Sequence, residues 1–367
     1  MSLGLSAAVR TRACFFALLL AGAPGLAAWA QQQATPAAKP KIIVLATGGT
    51  IAGQASNRAA IGYDAGKVSG SDLVAAVPGL GELASVSAEQ ISSIGSQDMN
   101  DKVWFDLARR IGAIAANHEA DGVVITHGTD TMEETAFFLQ SVLHTDMPVV
   151  MAGSMRPSTA VSADGPANLY EAVEVAASPQ ARGRGVLVVL NDRIHGARGV
   201  EKGNTTSVQT FQSPNGGPVG YVDPSSVRFM MPAASAEPGQ PLALPQAPPL
   251  PRVDIVYAHA GMDAALIEDA VKGGAKGLVL AGVGDGNGSQ AAIDAMAKAA
   301  QSGVLVVRAS RVGSGFVNRN VEVNDDKLGF VTALDLNPQK ARVLAQLLIA
   351  NGITDAARAQ QAFVATW

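Results

Sequence analysis

The chain reads as an α/β protein. A larger N-terminal domain holds a mainly parallel sheet flanked by helices, and a smaller C-terminal α/β domain follows. Three observations predict this. Short apolar segments alternate with amphipathic ones over most of the 367 residues, the pattern of strands joined by crossover helices. Two of the apolar segments run into similar glycine turns, IVLATGGTIAG at 43–53 and VVITHGTDTMEE at 123–134. One stretch rich in Pro, Ala and Gln, 232–251 (PAASAEPGQPLALPQAPPLP), interrupts the alternation and has little that could form an interior element.

Taken in order, residues 1–30 carry Arg10 and Arg12, then an apolar run over 13–23, then Ala28-Trp29-Ala30, which puts small residues at the −3 and −1 positions of a cut. This is the pattern of a secretory signal peptide cleaved after Ala30, and it predicts a periplasmic or secreted protein. The run is too short to span a membrane, and no later stretch reaches the ~18 residues a span needs. Residues 31–40 form a polar, Pro-containing leader expected to be mobile. The N-terminal domain, 41–231, has predicted strands at 42–46, 123–126, 148–152 and 185–190, and helices at 101–117, 132–143 and 168–176. Beyond the linker at 232–251, the C-terminal domain, 252–367, alternates strand 253–258, helix 263–272, strand 277–281, helix 289–302, strand 304–308 and helix 338–350. In sheets of this kind ligands bind outside the carboxyl ends of the strands, where both glycine turns fall.

Composition narrows the function. With 48% hydrophobic and 16% charged residues, large cores are expected and disorder is not. The net charge of −4, with no basic cluster, argues against a nucleic-acid partner. Cys14 is the only cysteine and lies in the predicted signal. The mature chain would therefore have no disulfide, cysteine nucleophile or iron–sulfur site. Loss of Arg10 and Arg12 with no acid would take the net charge from −4 to −6.

The turns place Thr47, Thr50, Thr129 and Asp130 at strand ends. A threonine hydroxyl is a weak nucleophile at neutral pH and needs a base or a neighbouring charge. Of the five histidines, only His127 adjoins a Thr-Gly turn, and it reads more simply as a hydrogen-bonded structural residue. No histidine pair has metal-ligand spacing, so no metal is implied. Taken singly, the other candidates have bland readings as well. Asp130 could cap a helix starting near Thr131, with Glu133 and Glu134 complementing its dipole. Spacing alone leaves a hydrolase using threonine and a small-ligand binder both open.

Several segments together resemble one family. ATGGTIAG and ITHGTDTMEETA look like its two signatures, and GSQDMND (95–101), MRPSTAVSADGPANLY (155–170) and LNPQKARVL (336–344) also match. From about Lys41 to Trp367 the chain resembles the bacterial type II, exported L-asparaginases, including the glutaminase-asparaginases. The resemblance implies hydrolysis of L-asparagine, and possible turnover of L-glutamine, without a cofactor. It also implies a homotetramer built as a dimer of dimers. Thr50 matches the family nucleophile and Tyr63 the lid tyrosine that hydrogen-bonds it. Thr129 and Asp130, with Lys202 of EKGN, match a second cluster in which lysine and aspartate activate the threonine or a water. Burial would lower the lysine pKa and favour proton acceptance. Ser96 and Gln97 match residues that bind the substrate α-carboxylate and α-amino group, and Asp130 also holds the ammonium. Ser154 matches a position offering a backbone carbonyl to the side-chain amide, and Glu322 an acid supplied by a neighbouring subunit. Backbone N–H groups near Thr50 and Thr129 would stabilise the oxyanion.

The chain departs from the pattern at Asp285, in AGVGDGNG, where relatives commonly carry Asn. A carboxylate there, close to Glu322, could alter substrate affinity and pH dependence, or could only shape its loop. The segment's glycines lack the order of a dinucleotide-binding turn. Gln97 after Ser96 favours asparagine, since glutaminase-leaning relatives often have an acid there, whereas RVGSGFVNRN looks like the dual-specificity branch. The signal and the long lid over 53–69 argue against a cytoplasmic type I enzyme. A periplasmic amino-acid binder that had lost turnover would be expected to lack one of Thr50, Tyr63, Thr129, Asp130 and Lys202, and all five are present.

Overall fold

The computed structural model describes residues 38–55, 63–64, 66–233 and 242–365. The signal-peptide reading, most of the leader, residues 234–241 of the proposed linker and much of the proposed lid lie outside these residues. The described residues from Lys39 onward belong to one compact unit.

The N-terminal domain is organised on an eight-stranded sheet. Its strands are β1 (Lys41–Gly48), β2 (Ser85–Ile94), β3 (Gly122–Thr126), β4 (Val149–Ala152), β5 (Val186–Leu190), β6 (Arg193–Gly196), β7 (Gly220–Asp223) and β8 (Ser226–Phe229). They lie in the order β8-β7-β6-β5-β4-β3-β1-β2. β1 to β5 are mutually parallel, and β6, β7 and β8 follow, each antiparallel to the strand it joins. Successive side chains of a strand face opposite ways, and β1 shows it. Ile43 and Leu45 enter one core with the helices Asp101–Ala116 and Met132–Val142, while Ile42 and Val44 enter another with the helix Gly165–Ala177.

The C-terminal domain has a four-stranded parallel sheet, β9 (Val253–Tyr257), β10 (Gly277–Gly282), β11 (Leu305–Ser310) and β12 (Phe330–Thr332), in sequential order. One face packs on the helices Ala265–Lys272 and Gln290–Gln301. The other face, with the helix Pro338–Ala350, is continuous with the N-terminal core through Phe137, Phe138, Leu344 and Leu348. The domains thus share a core, with the helices Met132–Val142 and Pro338–Ala350 at the join.

The expected strands and helices are present with ends shifted by a few residues. Among the elements the structure adds to the sequence reading are edge strand β2, the β6–β8 extension, β12 and a last helix, Ala356–Val364. β1 connects to β2 on one side, and the chain then crosses to β3 on the other side of β1. The winding direction reverses there, so a crevice opens at the carboxyl ends of β1 and β3.

Candidate active site

Thr50 and Thr129 follow β1 and β3 on either side of this crevice. Beyond Gly48 the chain turns at Gly49, with φ 78° and ψ −173°, into a 3₁₀ turn Thr50–Ala52. Only glycine adopts that backbone region readily. The absent side chain also matters. A Cβ on Gly49 would lie 2.3 Å from the Cα and N of Gly128, and one on Gly128 would lie 2.5 Å from Ser96 Oγ. The two turns therefore meet backbone to backbone. Thr50 and Thr129 are 6% and 4% exposed at that meeting point.

Around Thr129 the polar groups interlock. Lys202 Nζ donates to Thr129 Oγ1 at 2.9 Å and to Asp130 Oδ1 at 2.6 Å. The lysine side chain is 17% exposed and the aspartate 55%. The helix Met132–Val142 has no side-chain cap, so Asp130 serves as the lysine's counter-ion and not as a capping residue. The backbone N–H of Asp130 donates to Ser96 Oγ at 3.1 Å, and Thr131 Oγ1 donates to Ser96 O at 2.8 Å. These bonds bind the short turn Ser96–Asp98 to the second threonine segment. Gln97 is exposed beside them. Asp130, Glu133, Lys202, Asn204, Thr205 and Gln339 are among the residues that line a cavity of about 590 Å³.

His127 stays out of this chemistry. It is fully buried, its Nδ1 lies 2.6 Å from Gly128 O and its Nε2 lies 2.9 Å from Thr135 Oγ1, which accepts from Trp104 Nε1. A carbonyl only accepts, so Nδ1 carries the proton and Thr135 donates to Nε2. Burial pushes the imidazole pKa down to about 4, which keeps it neutral.

Matches to two family models span this architecture. "Asparaginase, N-terminal" covers residues 41–234 and "Glutaminase/Asparaginase C-terminal domain" covers residues 252–363. The chain belongs to the asparaginase family. A Haemophilus influenzae protein named "Probable L-asparaginase periplasmic" is 48% identical over 311 residues, 84% of this chain and 88% of that protein. A Pseudomonas fluorescens "Glutaminase-asparaginase" is 42% identical over 327 residues, 88% of this chain and 90% of the relative. A crystal structure described as a probable cytoplasmic L-asparaginase from Campylobacter jejuni superposes with a TM-score of 0.84 at 42% identity, covering 89% of this chain and all of that one.

In this asparaginase-family chain, Ser154 is buried in the loop after β4, where its hydroxyl donates to Arg156 O at 2.8 Å. The preceding Gly153 lies against Thr129, and its carbonyl accepts from Asn168 Nδ2 at 2.8 Å. Tyr63 lies on the short strand Tyr63–Asp64, paired with Gln54–Ala55. Its side chain lies outside the described residues.

Asp285 and Glu322 lie in loops of the C-terminal domain. Both Asp285 oxygens accept from Asn318, from N at 2.7 Å and from Nδ2 at 3.0 Å. Asp285 lines a second cavity, of about 580 Å³, with Glu201, Asn318 and Lys340. The residue bonded to Glu322 is Asn287, two positions beyond Asp285. Sequence reasoning passed over Asn287, although it stands in the singled-out AGVGDGNG. It also passed over Glu133 as more than a dipole residue. Glu133 is buried, and its Oε2 accepts from the backbone N–H of Lys202 at 2.6 Å.

Proposed function

We propose that this protein is an exported L-asparaginase that hydrolyses L-asparagine to L-aspartate and ammonia through a threonine ester. The observation that carries this reading is the meeting of two threonines across the Gly49–Gly128 contact, one of them bonded to a lysine–aspartate pair. A hydroxyl beside a cation and backbone N–H groups suits acyl transfer, and the family membership narrows the acyl group.

Thr50 Oγ attacks the side-chain amide carbon, and its proton passes to the leaving nitrogen by way of the neighbouring polar groups. Negative charge develops on the amide oxygen, toward backbone N–H groups of the glycine turns. Each such donor is typically worth about 3 kcal/mol in the transition state. Ammonia leaves, and water, activated at Thr129 by Lys202 and Asp130, hydrolyses the ester. Ser96 Oγ accepts from Asp130 N, so its own hydrogen is left to donate to the substrate α-carboxylate beside Gln97. Asp130 and the partner-supplied Glu322 hold the ammonium. Asp285 approaches the same ammonium from the neighbouring subunit. Ser154 orients the amide, and Tyr63 closes over Thr50. The oligomer is a homotetramer of two dimers, and the signal-like N-terminus supports a periplasmic or secreted location.

L-Glutamine is a second substrate in the dual reading, supported by the glutaminase-asparaginase relative. One added methylene is worth only about 1–3 kcal/mol of discrimination. The test is ammonia release from L-Asn and L-Gln by purified protein and by Thr50→Ala. Turnover of L-Asn that is abolished in the variant is expected. Folded protein that turns over neither amide would make the chain an amino-acid binder and refute the proposal.

A further inference from the structure

The segment LNPQKARVL marks the start of the helix Pro338–Ala350, far in sequence from both threonines, and no step above uses it. Its first residues grip the short strand Glu201–Lys202 and the residues just before it. Asn337 caps its own helix through Oδ1, which accepts from Lys340 N at 3.1 Å. Its Nδ2 donates to Glu133 Oε1 at 3.0 Å and reaches Glu201 Oε2 at 3.4 Å. Gln339 Nε2 donates to the same Glu133 oxygen at 2.6 Å. Lys340, 2% exposed, donates its ammonium to the carbonyls of Arg198 and Val200.

Glu133 is therefore a buried carboxylate, 4% exposed, with its two oxygens divided. One takes side-chain donors from the C-terminal domain. The other takes the Lys202 backbone N–H. Because Glu133 holds the backbone and not the ammonium, Nζ remains directed at Thr129 and Asp130. A carboxylate this buried is tolerated only while its donors are in place. Removing Gln339 or Asn337 as donors would release Glu133 to seek others and let the Lys202 backbone drift with it.

We propose that Asn337, Gln339 and Glu133 form a positioning clamp that sets the Lys202 ammonium against Thr129, so that the C-terminal domain tunes the second threonine cluster of its own chain. The clamp rests on the reading of Lys202 as a catalytic group. None of the three touches substrate in this proposal; they act through Lys202.

The experiment is a double-variant cycle on the full-length protein. Gln339→Met removes the donor at similar length. Asn337→Ser keeps the helix cap and removes the reach to Glu133. Each is measured alone and combined with Lys202→Met, with kcat and KM for L-Asn, the pH profile of kcat and the Tm recorded. A misplacement near 1 Å costs up to about a hundredfold in rate. Gln339→Met is therefore expected to lower kcat by about tenfold or more, change KM less than threefold and displace the pH profile. It should have little further effect on whatever rate Lys202→Met retains. A Lys202→Met protein with wild-type kcat would remove the catalytic reading of Lys202 and the clamp with it. A catalytically impaired Lys202→Met protein beside a Gln339→Met protein of unchanged kcat and pH profile, or one slowed equally in both backgrounds, would overturn the clamp alone.

Discussion

Replacing Gly49 with alanine should part the two threonine turns. An alanine at φ 78° and ψ −173° occupies backbone space that is essentially reserved for glycine, at a cost of about 1–3 kcal/mol. Its Cβ would also lie 2.3 Å from the Gly128 backbone. A relaxed carbon–carbon contact needs ~3.5 Å, so the turns must separate by about 1.2 Å. Gly128 offers only backbone there, so no rotamer change relieves the clash. A displacement near 1 Å costs about a hundredfold in rate, equivalent to about 2.7 kcal/mol of barrier. The assay is the initial rate of ammonia release from L-Asn, paired with a thermal melt. The expected result is a kcat about a hundredfold down with a Tm lower by several degrees. Gly112→Ala is the control. It lies in the helix Asp101–Ala116, and its Cβ would meet nothing within 4 Å. It should gain up to about 1 kcal/mol and leave turnover unchanged. Gly49→Ala protein with kcat within about threefold of wild type would refute the claim that backbone contact between the turns assembles the site.

Two other perturbations follow from buried or loop carboxylates. Burial, with Asp192 alongside, raises the Glu171 pKa to about 8, so the folded state holds a proton that the unfolded state loses near the ordinary glutamate range. This contribution to stability is complete below about pH 4.5 and is lost as pH rises toward about 8. Glu171→Gln, compared with wild type by urea midpoints at pH 5 and pH 8, should therefore gain relative stability at the higher pH. Parallel pH dependence in the two proteins would contradict this. Asp285→Asn should act first on its loop, because both oxygens accept from Asn318. The expected loss is about 1 kcal/mol of stability with KM for L-Asn changed less than threefold, and a larger shift in KM or in the pH profile would show the carboxylate acting on substrate.

Much of the fold is legible because periodicity is strong where burial is two-sided. β1, β3, β4 and β5 are continuous apolar runs between helices, and each was expected near its observed bounds. β2 escaped for the opposite reason. It is an edge strand, half-exposed along SVSAEQISSI, so neither a run nor a clean alternation marks it. β6, β7 and β8 are antiparallel additions of four residues each, too short to show a period, and the final helix buries only Ala359, Gln360 and Phe363. The candidate site residues are named through motif resemblance more than through spacing. Thr129, Asp130 and Ser96 do converge with Lys202, but nothing local in EKGN reveals it. Asn287 and Glu133 were missed because each looks like an ordinary loop or dipole residue until its partner is known.

By itself the sequence determined the alternating α/β plan, the two glycine turns at strand ends and the family to which the chain belongs, because these rest on local pattern and short motifs. Only the tertiary structure decided that Gly49 rests on Gly128, that His127 is sealed beneath the site, and that a carboxylate on one domain's helix links Lys202 to the other domain. Those facts depend on packing between segments distant in sequence, on hydrogen-bond partners and on burial, none of which a single position in the chain carries.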